Sequence, residues 1–301
     1  MMTLSAAEAF SAYEAARGRL PNCVCGKPPA RKIETLADIA DMFDVFLLDA
    51  FGVLNIGESP IEGVPARVAD LRAAGKRVLI VSNAASVPRD ALVEKYARLG
   101  YDFAPEDIIT SRSAAIAGLS HAPDLLWGVM GLPGETMQDF GPLRWRPLRD
   151  DPADYETAEG ILMISSGDWT EARQDRLLQT LTHRPRPIFV ANPDIVAPRD
   201  HGFSAEPGRF AHALADATGI DPVFFGKPFA NVYDLAFARL GRVDRARVVM
   251  VGDSLHTDVL GAQAAGVASV LISGYGFFAN EDAGHAISVS GITPDFIAGR
   301  P

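Results

Sequence analysis

The sequence has 301 residues, of which 48% are hydrophobic and 22% are charged, and it carries a formal net charge of −10. These values are typical of an ordered globular protein that is long enough to bury a core, and they exclude general disorder and a collagen-like repeat. No segment has the cluster of Lys and Arg residues with which nucleic-acid-binding proteins contact the phosphate backbone, so we expect no nucleic-acid partner.

We treat residues 1–40 as an N-terminal extension without an assigned function. Glu8 and Glu14 lie where a secretory signal has a positively charged end followed by an apolar stretch, so we expect a cytoplasmic protein. No apolar run along the chain reaches the roughly 18 residues needed to cross a bilayer, so we expect no membrane contact. Cys23 and Cys25 are too few for a disulfide framework and predict two reduced thiols.

Short apolar runs rich in Val, Ile, Leu and Phe alternate with segments of helical periodicity, which predicts an α/β fold with buried parallel strands. The predicted strands are, in chain order, 45–48, 77–81, a short one near Ile108, 127–130, 161–164, 188–191, 247–251 and 269–272. The predicted helices are 64–76, 89–100, 171–183, 208–219 and 257–266. Most of them end near a glycine that suits a left-handed cap.

Polar side chains follow four of the apolar segments. Asp49 follows the first strand, Ser82 and Asn83 follow the second, Lys227 follows the segment at 223–225, and Asp253 follows the strand 247–251. Because ligands bind at the carboxyl ends of the strands in an open parallel sheet, we expect these side chains to converge on one crevice.

This set of side chains is suited to phosphoryl transfer. The carboxylates of Asp49 and Asp253 are the hard oxygen ligands that Mg²⁺ prefers, and the ammonium group of Lys227 would offset the charge of a phosphate. Asp49 could then attack phosphorus and form an aspartyl-phosphate. Ordinary structural explanations stay open, since Asp often caps a helix, Ser-Asn pairs form turns and most lysines are solvated.

Five segments carry a resemblance to a known family, and they are LLDAFGVL at 47–54, VLIVSN at 78–83, ANPD at 191–194, FGKP at 225–228 and VGDSLHTD at 251–258. In this order and spacing the chain resembles the haloacid dehalogenase (HAD) superfamily, and within it the class IIA phosphatases related to the nucleotide and 4-nitrophenyl phosphatases. The resemblance implies a doubly wound parallel core sheet with an inserted α/β cap domain.

The resemblance also implies roles for single residues. Asp49 matches the nucleophile, and Lys227 matches the lysine that orients nucleophile and phosphate. Mg²⁺ is the implied cofactor, with Asp49, Asp253 and the backbone carbonyl of Phe51 as its ligands, while Asp258 supports these ligands without touching the metal. The implied phosphate- and substrate-binding residues are Phe51, Gly52, Ser82, Asn83, Asn192, Asp194 and Lys227.

More than a hundred residues separate Asn83 from Lys227, which is too many for one crossover connection. We therefore predict a cap domain at 115–221, inserted into a core made of 41–114 and 222–301. As a partner we expect a small phosphorylated substrate, whose identity the sequence does not reveal. A homo-oligomer stays open.

One position departs from the family pattern. The phosphatases of this family carry a second Asp two residues after the nucleophile, which protonates the leaving group and then activates water, whereas this chain has Phe51 there. General acid–base catalysis contributes about 10²- to 10⁴-fold. His256 and Asp194 are candidate substitutes. The leading interpretation is a magnesium-dependent phosphatase with efficiency in doubt. The alternatives are a catalytically impaired phospho-ligand binding or regulatory protein and, less favoured, a dehalogenase.

Overall fold

A computed structural model of the protein describes residues 3–131, 134–198 and 202–301. Its strands are, in chain order, β1 (Thr3–Leu4), β2 (Arg31–Ile33), β3 (Val45–Leu48), β4 (Asn55–Ile56), β5 (Ser59–Pro60), β6 (Arg77–Ser82), β7 (Ile108–Thr110), β8 (Trp127–Met130), β9 (Trp145–Pro147), β10 (Gly160–Met163), β11 (Ile188–Val190), β12 (Val196–Pro198), β13 (Phe203–Ala205), β14 (Val223–Phe224), β15 (Val248–Gly252), β16 (Ala268–Ile272) and β17 (Phe296–Ala298).

The α-helices are α1 (Ala6–Ala15), α2 (Val64–Ala73), α3 (Arg89–Arg98), α4 (Ser111–Leu119), α5 (Pro152–Thr157), α6 (Glu171–His183), α7 (Pro207–Thr218), α8 (Ala230–Leu240), α9 (Leu260–Ala265) and α10 (Ala283–Ser290). A π-helical turn at Leu255–Val259 leads directly into α9. Shorter 3₁₀ segments lie at Arg17–Arg19, Leu36–Met42, Pro105–Asp107, Gly134–Phe140, Arg245–Arg247 and Gly276–Phe278. Within the described ranges, no helix has both the length and the apolar character that crossing a membrane requires.

Contacts between residues divide the chain into two compact units. Unit 1 comprises residues 1–12, 83–88 and 110–226, and unit 2 comprises residues 13–82, 89–109 and 227–301. The domain boundaries expected from the sequence, with a cap at 115–221, stay a prediction.

Unit 2 is built on a seven-stranded sheet in the order β2-β17-β16-β15-β3-β6-β7. The pairings from β2 to β6 are parallel. All residues of β3 and β15 are buried, which explains why both segments are continuous apolar runs in the sequence. The register pairs Leu48 with Val251 on one side and with Ile80 on the other, so the carboxyl ends of these three strands lie side by side.

Unit 1 contains a five-stranded parallel sheet in the order β14-β11-β10-β8-β9 and an antiparallel sheet in the order β1-β13-β12. Side-chain oxygens begin several helices of this unit, since Thr110, Asp151 and Thr170 accept backbone N–H groups at the starts of α4, α5 and α6. Parallel sheets flanked by helices confirm the predicted α/β class.

The predicted strands are present with ends within about a residue of their expected positions, while several short edge strands escaped prediction. The segments of β2 and β9 read RKI and WRP, which lack a continuous apolar run because edge strands are covered less completely than central ones. The predicted helix 257–266 differs in form, since it begins as a π-helical turn at Leu255 and becomes α-helical only at Leu260.

Candidate active site

The candidate site in unit 2 is centred on the buried side chain of Lys227. Its Nζ atom lies 2.6 Å from Oδ1 of Asp49 and 2.7 Å from Oδ1 of Asp258. Burial opposes the ammonium charge, but the carboxylates of Asp258 and Asp49 outweigh it and hold the pKa of Lys227 above its ordinary value. Lys227 is therefore a fixed positive charge beside the carboxylate that follows β3.

Asp253 follows β15 and is enclosed by backbone. The N–H group of Phe277 donates to its Oδ2 atom at 2.8 Å. Gly52 and Gly276 adopt left-handed backbone, with φ of +76° and +65°, and a Cβ atom there would lie 2.6 Å and 1.7 Å from the same oxygen. Both positions therefore require glycine, for conformation and for space.

Asp258 is held from two directions within the π-helical turn. Its Oδ1 atom accepts from Lys227, and its Oδ2 atom accepts from the backbone N–H of Ser254 at 3.1 Å. Burial raises the pKa of Asp258 to about 6, although Lys227 acts against this shift. Burial, together with the charges of Asp49 and Asp258, also raises the pKa of Asp253 well above its ordinary value.

The cluster of carboxylates fits a divalent cation. One oxygen from each of Asp49, Asp253 and Asp258 lies within 4.8 Å of the others. When ionised, these three carboxylates face the single ammonium of Lys227, which leaves a charge of −2 in a buried space. Hard oxygen ligands and this excess of negative charge are what Mg²⁺ requires. Because both oxygens of Asp258 already accept hydrogen bonds, its geometry favours a supporting position.

Backbone hydrogen bonds, several of them to one carbonyl group, hold the loop that follows β3. The carbonyl oxygen of Ala50 accepts from the N–H groups of Leu54 and Asn55 at 2.8 and 3.1 Å, and the N–H of Gly52 donates to the carbonyl oxygen of Asn55 at 3.0 Å. These bonds fix the backbone of Phe51, whose carbonyl is the predicted metal ligand. The aromatic side chain of Phe51 is half-buried and carries no proton to donate.

The predicted phosphate- and substrate-binding residues divide between the two units. Ser82 is the buried last residue of β6 in unit 2. In unit 1, Nδ2 of Asn83 donates to Oδ1 of Asp194 at 2.7 Å, and the N–H of Asp194 donates to Oδ1 of Asn192 at 3.1 Å. Nδ2 of Asn192 in turn donates to the buried Glu206 at 3.3 Å. These bonds bring Asn83, Asn192 and Asp194 together in one network.

Two tyrosines near the charged cluster were not predicted from the sequence. Burial raises the pKa of Tyr96, and the charge of Asp49 adds to this. Burial likewise raises the pKa of Tyr233, with the charge of Asp258 as the next cause. Tyr96 lies in a segment for which the sequence predicted only a helix, and the segment of Tyr233 carried no prediction. Gly276 and Phe277 were also missed, because their segment carries no motif that we recognised.

Comparison with known proteins assigns the family. A family model described as haloacid dehalogenase-like hydrolase matches residues 46–138, and a second HAD-like model matches residues 224–299. The chain is 30% identical to the glycerol-3-phosphate phosphatase of Gallus gallus over 79% of this chain and 82% of that protein. The chain belongs to the haloacid dehalogenase-like hydrolases. The resemblance drawn from the motifs is thereby confirmed.

Solved structures of this family share the fold. A possible sugar phosphatase from Cytophaga hutchinsonii superposes with a TM-score of 0.78 at 22% identity, covering 90% of this chain and 98% of that one. The glycerol phosphate phosphatase of Mycobacterium tuberculosis, crystallised in complex with magnesium, superposes with a TM-score of 0.68 at 26% identity. The superposition covers 86% of this chain and 75% of that one.

The enclosure of Asp253 leads to a prediction about Gly276. Gly276→Ala should displace the Asp253 carboxylate and weaken Mg²⁺ binding at least about tenfold, the lower end of the effect of disturbing the surroundings of a metal ligand. Gly291→Ala is the matched control, since φ there is +68° and an added Cβ would meet nothing within 4 Å. Isothermal titration calorimetry with Mg²⁺ measures both variants, and equal affinities would contradict the assigned enclosure.

Proposed function

We propose that this chain is a magnesium-dependent phosphatase that acts through an aspartyl-phosphate on a small phosphorylated metabolite. The observation that carries the proposal is the position of Lys227, whose Nζ atom lies between Asp49 and Asp258 in a cluster that also contains Asp253. A fixed ammonium beside a candidate nucleophile, within a site that has excess negative charge, is suited to binding a phosphate together with a divalent cation. The phosphatase activity named for the Gallus gallus relative supports the same conclusion.

In the proposed reaction, a carboxylate oxygen of Asp49 attacks phosphorus, and the bond between phosphorus and the leaving oxygen breaks with its electron pair moving onto that oxygen. Lys227, held by Asp258, orients Asp49 and offsets negative charge on the phosphoryl group. Asp49, Asp253 and the carbonyl of Phe51 would hold Mg²⁺, which when bound neutralises phosphate charge. A water oxygen then attacks phosphorus, the bond between phosphorus and the Asp49 oxygen breaks to restore the carboxylate, and inorganic phosphate is released. The proton that the water loses passes to solvent, from which the leaving oxygen takes its own. The proposal also assigns contacts with the phosphate or the substrate to Gly52, Ser82, Asn83, Asn192 and Asp194.

Phe51 favours a second candidate function. A leaving alkoxide needs a proton and the attacking water must lose one, and the side chain of Phe51 serves neither step. A protein that binds a phosphorylated ligand and a cation without efficient turnover would need Asp49, Lys227 and Asp253 but no general acid. We therefore keep a phospho-ligand binding or regulatory protein of the same fold as the alternative.

A screen for Mg²⁺-dependent phosphate release tests the function. With a panel of phosphate esters, anhydrides and acyl phosphates, we expect release by the native protein and none by Asp49→Asn. Asp253→Asn should not bind Mg²⁺ in calorimetry, while its melting temperature should be no lower than that of the native protein. Burial and the neighbouring carboxylates oppose the negative charge of Asp253, so its removal should not destabilise the fold.

Asp234→Asn, on the exposed face of α8, is the matched control and should change neither quantity. Magnesium binding without release from any ester would favour the binding protein. Unchanged magnesium affinity in Asp253→Asn would refute the metal assignment.

The absence of a general acid predicts a strong dependence on the leaving group. A leaving group of low pKa departs without a proton, so rates should fall steeply from nitrophenyl to alkyl phosphates. Steady-state rates across a series of aryl and alkyl phosphates, with chemistry shown to limit turnover, measure this slope. A flat dependence would indicate that another group donates the proton.

Restoring the carboxylate should change the lifetime of the intermediate. With an activated phosphate, Asp49 should be phosphorylated faster than water releases it, which gives a burst of product. Phe51→Asp should shorten this lifetime and raise ester turnover by up to about 10²- to 10⁴-fold, less if burial raises the pKa of the new carboxyl.

Rapid-quench trapping of phosphate on the protein measures this lifetime, and Phe51→Asn controls for the loss of the aromatic ring. No trapped phosphate in a protein that binds Mg²⁺ would contradict the covalent mechanism. An equal lifetime in Phe51→Asp and Phe51→Asn would contradict the role given to the missing carboxylate.

A further inference from the structure

A residue of the N-terminal extension contacts the helical turn that carries Asp258. Oε1 of Glu14, in the last turn of α1, lies 2.5 Å from Nε2 of His256. The Tyr13 ring stacks on the same imidazole, with ring centroids 5.0 Å apart and an angle of 13° between the planes. The His256 side chain is 2% exposed and that of Glu14 is 30% exposed, so the imidazole is buried within unit 2 while the carboxylate reaches its surface.

The turn itself connects this contact to the candidate site. His256 and Asp258 are two residues apart within Leu255–Val259, and side chains at this spacing project from nearly opposite faces of a helix. One face is therefore bound to Glu14, while the other carries the carboxylate that holds Lys227. All five residues of the turn are buried, so it has little room to shift unless one of these contacts is released.

The contact is costly to remove. A buried imidazole nitrogen without a hydrogen bond is destabilised, because it is removed from water and has no replacement partner. We expect the turn to rearrange so that this nitrogen forms a new hydrogen bond. Such a rearrangement would move Asp258, because the π-helical geometry is confined to this one turn before α9 begins at Leu260. Lys227 would then lose one of the two carboxylates that fix it beside Asp49.

We propose that Glu14 is a positioning residue for the candidate active site, acting through His256 to fix the turn that places Asp258 against Lys227. The consequence for catalysis rests on the proposed function of the Lys227 and Asp258 pair. The segments that match the family models begin at residue 46, so Glu14 would support the candidate site from outside these segments. It also gives the N-terminal extension a role that its sequence did not indicate.

The test compares Glu14→Ala and Glu14→Gln with Glu94→Ala, a matched control that removes an exposed glutamate from α3 of the same unit. The first readout is hydrogen exchange of the amides at 254–260, which does not depend on turnover. Glu14→Ala should raise exchange there at least about tenfold, Glu14→Gln should restore most of the protection because its amide oxygen still accepts from the imidazole, and Glu94→Ala should match the native protein.

The second readout is activity with an aryl phosphate, together with Mg²⁺ affinity from calorimetry. Glu14→Ala should lower kcat about tenfold with KM nearly unchanged, since Lys227 orients the nucleophile, and Glu14→Gln should recover most of kcat. A lower melting temperature with native exchange, kcat and Mg²⁺ affinity would overturn the proposal, because a merely structural contact gives that result. If Glu14→Ala does not fold, His256→Asn takes its place and is compared with Glu14→Gln by the same measurements of hydrogen exchange, kcat and Mg²⁺ affinity.

The two readouts separate this proposal from the proposed function. A native protein without turnover would refute the phosphatase function, while the exchange measurement would still decide whether Glu14 fixes the turn. Increased exchange in Glu14→Ala with unchanged kcat in an active protein would overturn the positioning role and leave the phosphatase function intact.

Discussion

The buried ammonium of Lys227 is the interaction on which the rest of the site depends. A lysine removed from water is unstable unless carboxylates compensate its charge, and Asp49 and Asp258 do so at 2.6 and 2.7 Å. The site also contains a third buried carboxylate, that of Asp253. Burial, together with the like charges of Asp49 and Asp258, raises the pKa of Asp253 well above its ordinary value. When all three carboxylates are ionised, their negative charge exceeds the positive charge of Lys227. Under the proposed function, a divalent cation bound by this cluster would compensate the excess negative charge.

The sheet and its glycines place these charges. Parallel register brings the ends of β3 and β15 to one edge of the sheet, so Asp49 and Asp253, which follow these strands, lie close together. Backbone then completes the site, through the N–H of Phe277 and the close approach of Gly52 and Gly276 to Asp253. The sheet therefore determines where these backbone groups lie around Asp253.

The sequence revealed the core strands and the charged cluster because both have strong local signals. Buried central strands such as β3 and β15 are continuous apolar runs, and Asp49, Lys227 and Asp253 lie within motifs whose order and spacing are specific. Edge strands such as β2 lacked that signal. The contact between Glu14 and His256 joins residues 242 positions apart, and nothing in either segment marks it. Long-range pairs of this kind form only when tertiary packing brings two unrelated segments together.

The site retains groups for the first chemical step more completely than groups for the second. In the proposed reaction, attack by Asp49 needs an oriented carboxylate and compensated phosphate charge, and Lys227 and the predicted metal ligands would serve both. Release of the phosphate needs a base. Burial makes the phenols of Tyr96 and Tyr233 harder to ionise, and His256 is engaged by Glu14, so these three side chains are poor replacements for the missing carboxylate. Asp194 is then the remaining candidate substitute among those named, and under the proposed function a site without a proton donor would favour substrates whose leaving groups depart without help.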